Sequence, residues 1–267
     1  MRITTVEREK DRFFWLESTP RRSSEPPMYN AEWDDRPAEY AAMRDCWLTR
    51  RRISYVADFL REARPGDRVL DVGSGVGELA LDLAAGRPDL QFTGVEPQPS
   101  YVEFATRTAV ERRVENVGYR VGFADRLAET LGPNARFEWT LSNDLLHHVP
   151  DQGDVVRSVG QVALPGARWL AIEPNWRNPY VLVGCALKRG ERNFWPVRFL
   201  ARAEAAGWSR QARTFLFLIP PFVKRPSRFL IDLERALEHN PLLAGGVALT
   251  LIRERKEARG PDEMVRG

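Results

Sequence analysis

Val69-Leu70-Asp71-Val72-Gly73-Ser74-Gly75-Val76-Gly77-Glu78 is the stretch that decides the fold of this chain. An apolar strand runs into a glycine turn, and a helix is expected to follow at once over about 76–85. Glycine has no Cβ and accepts positive φ, so such a turn can be tight and can let a ligand touch the backbone. The helix start carries N–H groups without intrahelical partners. Together these form a cradle for a nucleotide or a carboxylate. The spacing argues against one occupant. A dinucleotide fingerprint needs a third small residue, G-x-G-x-x-G or G-x-G-x-x-A, and that place holds the large, charged Glu78.

Outward from the turn, strands and helices alternate. The pattern predicts strands at 68–72, 90–95, 119–121, 137–142 and 167–172, with helices at 99–113 and 154–163. Upstream, Ile53, Val56, Phe59 and Leu60 recur at helical spacing, and Pro65-Gly66 ends that helix. Downstream, the pattern predicts helices at 199–206 and 227–237 and strands at 214–219 and 247–253. Residues 1–45 read as irregular but aromatic-rich (Phe13, Phe14, Trp15, Met28, Tyr29, Trp33, Tyr40), a segment expected to fold over the core as a lid. Residues 176–198 read as a loop-rich insertion bearing Trp176, Tyr180, Phe194 and Trp195, where substrate selection is expected. The expected organisation is an N-terminal lid and helical segment over 1–64, a core over 65–256 containing that insertion, and a frayed tail over 257–267. The fold class is α/β, a Rossmann-like doubly wound sheet.

Composition narrows the class. Of 267 residues, 43% are apolar and 29% charged, the balance of a globular protein, and the net charge is only +3. No apolar run approaches the roughly 20 residues of a membrane span. The N-terminus lacks an apolar signal core, so a cytoplasmic location is expected. Cys46 and Cys185 are far apart without ligand spacing, so free thiols and no metal site are expected. Arg50-Arg51-Arg52 is the densest basic run; it reads as the solvated face of a helix, with phosphate contact as the alternative. No nucleic-acid module is visible, so no nucleic-acid partner is expected. Oligomeric state is open, a homodimer included.

Asp71 at a strand end, followed by Gly73-x-Gly75-x-Gly77, resembles motif I of the class I S-adenosylmethionine (SAM) dependent methyltransferases. Leu146-His147-His148-Val149-Pro150-Asp151 closely resembles the corresponding segment of the UbiE/UbiG-like small-molecule group (methyltransferase type 11/23). The resemblance covers about residues 50–255. It implies a seven-stranded sheet, parallel apart from a late antiparallel strand. It also implies SAM as cofactor, S-adenosyl-L-homocysteine (SAH) as product, and a small organic acceptor such as a quinone, polyketide or sugar derivative.

The strand ends supply candidate ligands, because open α/β sheets bind beyond their carboxyl edge. Asp71, Gly73, Ser74, Gly75 and Gly77 are expected to hold the amino acid end of SAM. Glu96, followed by Pro97, can accept hydrogen bonds from both ribose hydroxyls; the alternative is a surface Glu. Ala124 and Asp125 resemble the family's adenine-binding segment; the alternative for Asp125 is a helix N-cap. Asn143 or Asp144 is expected near the sulfonium. His148 and Glu173 leave neighbouring strands at one edge, so His148, oriented by Glu173, is the expected general base for a hydroxyl acceptor, with His147 as alternate. A purely structural His148 is the other reading. Asn178-Pro179-Tyr180 imitates part of the motif of amino-group methylases, but it lacks the second proline and follows the wrong strand. RNA or protein methylation, a non-catalytic SAM-binding partner domain and an NAD(P) dehydrogenase are the competing functions.

Overall fold

The computed structural model describes residues 36–187 and 194–255. Seven strands form one sheet: β1 (Arg68–Val72), β2 (Gln91–Glu96), β3 (Val117–Val121), β4 (Phe137–Asn143), β5 (Ala163–Pro174), β6 (Trp208–Leu216) and β7 (Gly246–Arg253), in the order β3-β2-β1-β4-β5-β7-β6. β7 runs antiparallel to both its neighbours, and the pairs from β3 to β5 are parallel. The helices are α1 (Pro37–Arg44), α2 (Trp47–Phe59), α3 (Glu78–Gly86), α4 (Pro99–Glu111), α5 (Leu127–Leu131), α6 (Gln152–Val162), α7 (Pro179–Leu187), α8 (Pro196–Ala205) and α9 (Arg228–Leu237). The expected doubly wound sheet, with one late reversed strand, is the observed one.

β1 shows why the sheet is covered on both faces. Val69 through Val72 are all buried, and successive side chains point to opposite faces. Leu70 and Val72 join Leu127 of α5, Val155 and Val159 of α6 and Phe199 of α8. Val69 joins Val56 of α2 and Leu79 and Leu83 of α3. Behind the β4–β5 edge, Trp169 is fully buried and meets Phe199 and Trp208 edge-on, with centroids 5.4 Å away in both cases. Its Nε1–H donates to Ser142 Oγ at 3.0 Å, which pins β4 against β5 just before the chain leaves the sheet. Truncating such a residue to Ala costs about 3–5 kcal/mol.

Several boundaries differ from the sequence pattern. β5 absorbs Leu164-Pro165-Gly166, expected as a turn, because a register shift lets Ala163 pair with Phe137. β6 starts at Trp208 rather than 214; it is an edge strand whose exposed Arg210 and Arg213 hide the alternation. The 176–198 segment is not loop-rich where described, since α7 and the start of α8 lie within it. Its continuous apolar run Tyr180-Val181-Leu182-Val183 has no period that separates helix from loop or strand. The aromatics of residues 1–35, the side chain of Cys185 and the tail from 256 onward lie outside the described residues.

Candidate active site

The glycine turn sits at the carboxyl edge, between β1 and α3. Gly73 has φ +73°, and a Cβ there would lie 2.8 Å from Leu145 Cδ1. Gly77 has φ +83°, and its Cβ would lie 2.7 Å from both Ala105 Cβ and the Tyr119 hydroxyl. Both positions therefore exclude a side chain on conformation and on space. Four of the turn's N–H groups are engaged within the protein. Gly73 and Ser74 N–H donate to Val95 O, Gly77 N–H to Ser74 O, and Gly75 N–H to Glu96 Oε2 at 3.0 Å. These four are therefore not the N–H groups that a ligand would meet first. What the turn presents is glycine surface and carboxylates.

Asp71 is 2% exposed, and its Oδ2 is buried without a hydrogen-bond partner. Burial raises its pKa to about 7, with Glu78 and Glu96 adding to the rise and Arg44 opposing it. Ser74 Oγ and Asn143 Oδ1 are likewise buried and unpartnered. Val72 pairs with Ser142, so Asp71 and Asn143 lie at the ends of the neighbouring β1 and β4, while Ser74 Oγ lies against Gly94 of β2. The strand order reverses between β1 and β4, and ligands of such sheets bind at that point. Glu96 closes one side, accepting also from Gln98 N–H at 3.2 Å, and Pro97 follows it. Ala124 and Asp125 form a 3₁₀ turn (Ala124–Arg126) beyond β3, with Asp125 exposed. Asp125 is not a helix cap, since the first N–H of α5 is received by Ser158 Oγ at 2.8 Å.

At the β4–β5 edge the structure corrects the expected pairing. Glu173 meets His147, not His148. Its Oε2 lies 2.7 Å from His147 Nδ1, and the same carboxylate accepts the N–H groups of Leu145, Leu146 and His147. Both side chains are almost completely buried. The turn is closed by His148 N–H to Leu145 O, and the two imidazoles stack with centroids 3.9 Å apart. Capping α6 falls to Asp151, whose Oδ1 accepts from Gly153 N–H.

The N-terminal helices close over the site. A Cβ on Gly75 would lie 4.0 Å from the Tyr40 ring, which also packs on Tyr101 at a centroid distance of 5.3 Å. Arg44 donates to Glu78 at 2.6 Å and to Asp144 at 3.4 Å. Arg52 grips Asp144 with two nitrogens, at 2.6 and 2.8 Å. Burial alone would push the Asp144 carboxyl up, but Arg52 and Arg44 outweigh it and hold it at about 2. Asp144 thus meets guanidinium groups rather than standing open to a sulfonium. The solvated-face reading of the arginine run holds only for Arg50. Arg51 binds the buried Glu234 and Glu238, and Arg52 is 8% exposed. Tyr40 belongs to the segment expected as a lid, whereas sequence reasoning missed Arg44 and Arg52 as site residues. Asn178 works as a local brace, its Oδ1 accepting from Tyr180 N–H and its Nδ2 donating to Leu243 O, which fits the rejected amino-methylase motif.

Residues 63–191 match the family model described as a methyltransferase domain. A 27-O-demethylrifamycin SV methyltransferase of Amycolatopsis mediterranei is 34% identical over 53% of this chain and 48% of its own length, so the match spans about half of that relative. A ubiquinone biosynthesis O-methyltransferase of Alkalilimnicola ehrlichii is 30% identical over 68% of this chain and 73% of its own. The fold is shared with geranyl diphosphate C-methyltransferase from Streptomyces coelicolor A3(2), solved with S-adenosyl-L-homocysteine (TM-score 0.59, 17% identity, 88% of each chain). A strand order of 3-2-1-4-5-7-6 with a glycine-rich β1 turn defines a methyltransferase of class I architecture. The chain belongs to the class I SAM-dependent methyltransferases, with SAM as its cofactor.

The residues present fit that cofactor. The carboxyl edge offers unpartnered acceptors (Asp71, Ser74, Asn143) to a ligand carrying an ammonium group. Glu96 stands at the second strand end, where ribose hydroxyls would be received. When bound, SAM supplies an already activated methyl group.

Proposed function

We propose that the chain methylates a hydroxyl oxygen of a small organic acceptor, with His147 as general base and Glu173 as the group that orients it. The observation that carries this reading is the 2.7 Å contact between His147 Nδ1 and a buried carboxylate. In this reading Nδ1–H donates to Glu173 and Nε2 takes the acceptor's proton. A neutral alcohol is a poor nucleophile, so a positioned base matters most for oxygen acceptors. The O-methyltransferase names of the ubiquinone and rifamycin relatives support the same reaction. His148 lies one position away and stacks on the base.

Asp71, Gly73, Ser74, Gly75, Gly77, Glu96, Pro97, Ala124, Asp125 and Asn143 are the proposed cofactor contacts. Tyr40 over Gly75 supports a lid over 1–64, covering a core over 65–256. Substrate selection is assigned to 176–198, where Tyr180, Leu182 and Val183 expose apolar surface. Nucleic acid is disfavoured as acceptor, because Arg51 and Arg52 are consumed by internal acids. Among the described residues no helix is long and apolar enough to cross a membrane.

The test is SAH formation by the purified protein against quinol, polyketide and sugar hydroxyl acceptors, with His147→Ala and His148→Ala beside wild type. Loss of turnover in His147→Ala with SAH binding retained supports the reading. Full turnover in His147→Ala, or methyl transfer only to amines or carboxylates, overturns it.

A further inference from the structure

Asp144 is the meeting point of four parts of the molecule. It has φ +54°, in the left-handed region that costs most side chains free energy and that Asn and Asp tolerate best. Its N–H donates to Ile172 O at 2.9 Å, tying it to β5. Its carboxylate takes two contacts from Arg52 of α2 and one from Arg44 of α1. Arg44 in turn reaches Glu78 at the start of α3. The Arg52 guanidinium lies 5.8 Å from the centroid of the Phe217 ring. Phe217 itself has φ +65°, donates its N–H to Glu238 and accepts from Gly245 N–H. The next three N–H groups after Asp144 are those gathered by Glu173.

We infer that Asp144 is a positioning residue, a carboxylate anchor that holds both N-terminal helices over the glycine turn and fixes the start of the histidine turn. This deepens the function proposed above and rests on it for the role of the histidines. The charge balance explains the device. Two guanidinium groups, that of Arg52 buried and that of Arg44 partly so, converge on one carboxylate. Removing that carboxylate takes from Arg52 the acid it grips and leaves Arg44 with Glu78 alone, and a buried charge that loses its partner is strongly unfavourable. The helices carrying these arginines then gain by moving outward into water. α1 also carries Tyr40, so the same movement uncovers Gly75. Closure over the donor and alignment of His147 are thereby set by one side chain.

Asp144→Asn separates charge from backbone, because Asn keeps the volume and the left-handed preference. Asp144→Gly keeps the backbone freedom and removes the side chain. Hydrogen–deuterium exchange of the full chain is read at 37–44 and 145–148, without ligand, alongside SAH calorimetry and steady-state kinetics. Exchange over 37–44 is expected to rise at least about ten-fold in both variants, the ratio that 1.4 kcal/mol gives. KM for SAM is expected to rise more than kcat falls. Unchanged exchange overturns the inference, and weakened SAH binding with unchanged exchange makes Asp144 a direct ligand contact instead. If neither variant folds, Arg44→Gln removes the α1 tie to Asp144 together with the one to Glu78. It is expected to loosen 37–44 and leave 145–148 as it was, and tight 37–44 in that folded variant equally overturns the inference. Failure of the methyltransferase reading is distinct: wild type then forms no SAH, whereas the exchange measurement needs no ligand at all.

Discussion

Asp71 and Asp144 end neighbouring strands at the same edge, yet they behave in opposite ways. Asp71 faces other acids, and burial lifts it to about 7. Asp144 faces two arginines and is held at about 2. The difference runs through the two halves of the site. The half around the glycine turn is assembled from contacts between near neighbours, such as Gly75 with Glu96. The half around the histidine turn is assembled from partners far apart in the chain, such as Arg52 with Asp144 and Arg51 with Glu234. The first half is under-satisfied and waits for a cation. The second has its acids paired with arginines and works as a frame.

The sharpest way to break that contrast is at the frame. His147→Ala is expected to lower kcat by about 10²–10⁴-fold, the usual range for a general base, with SAH affinity by calorimetry kept within about two-fold. Glu173→Gln is expected to do at least as much, since its amide cannot accept from three backbone N–H groups and a ring nitrogen together. Next comes Arg51→Met, which strands two buried carboxylates. Chemical denaturation should show a loss of about 3 kcal/mol, and a loss below about 1 kcal/mol would mean that Glu234 and Glu238 find other partners. In the cofactor half, Glu96→Ala should weaken SAH binding by about ten- to a hundred-fold, the range for hydrogen bonds to a charged group, while thermal stability changes little.

The smallest effect is titration of Asp71. Its folded pKa, about 7, exceeds the unfolded value of 3.8, so the folded chain holds the proton more tightly. The corresponding stability is fully present below about pH 4 and is lost as pH rises through about 7. A bound cation favours the carboxylate. Donor binding should therefore tighten by up to about ten-fold from pH 6 to 8 and release a proton, read by calorimetry in buffers of different ionisation enthalpy. Asp71→Asn should flatten both. Asp144 has the opposite sign, stabilising the fold above about pH 4 and losing that contribution as pH falls toward 2.

Legibility divides along the same line. Strand order, the glycine turn and the acid at the end of β2 were readable because each is a local pattern with a local physical cause. The pairing at Glu173 was not. The period-two alternation that tells inward from outward residues stops at Asn143, and left-handed Asp144 then turns the chain. Which of two adjacent histidines faces inward is set by that turn. The arginine run misled for a related reason. A charge on a helix looks solvated until its partner is known, and the partners of Arg51 and Arg52 lie 183 and 92 residues away. α7 was missed because an uninterrupted apolar run has no period to read.

β7 has a consequence for synthesis on the ribosome. It is the last strand among the described residues, yet it lies between β5 and β6. Until residues 246–253 emerge, β5 has an open edge and β6 has no neighbour in the sheet, while the β3-β2-β1-β4-β5 portion can already pair. The nascent protein thus waits with an exposed ladder beside Trp169 and Trp208. Arrival of residues 246–253 fills the gap, and a stall or truncation before residue 246 leaves a template for pairing with other chains.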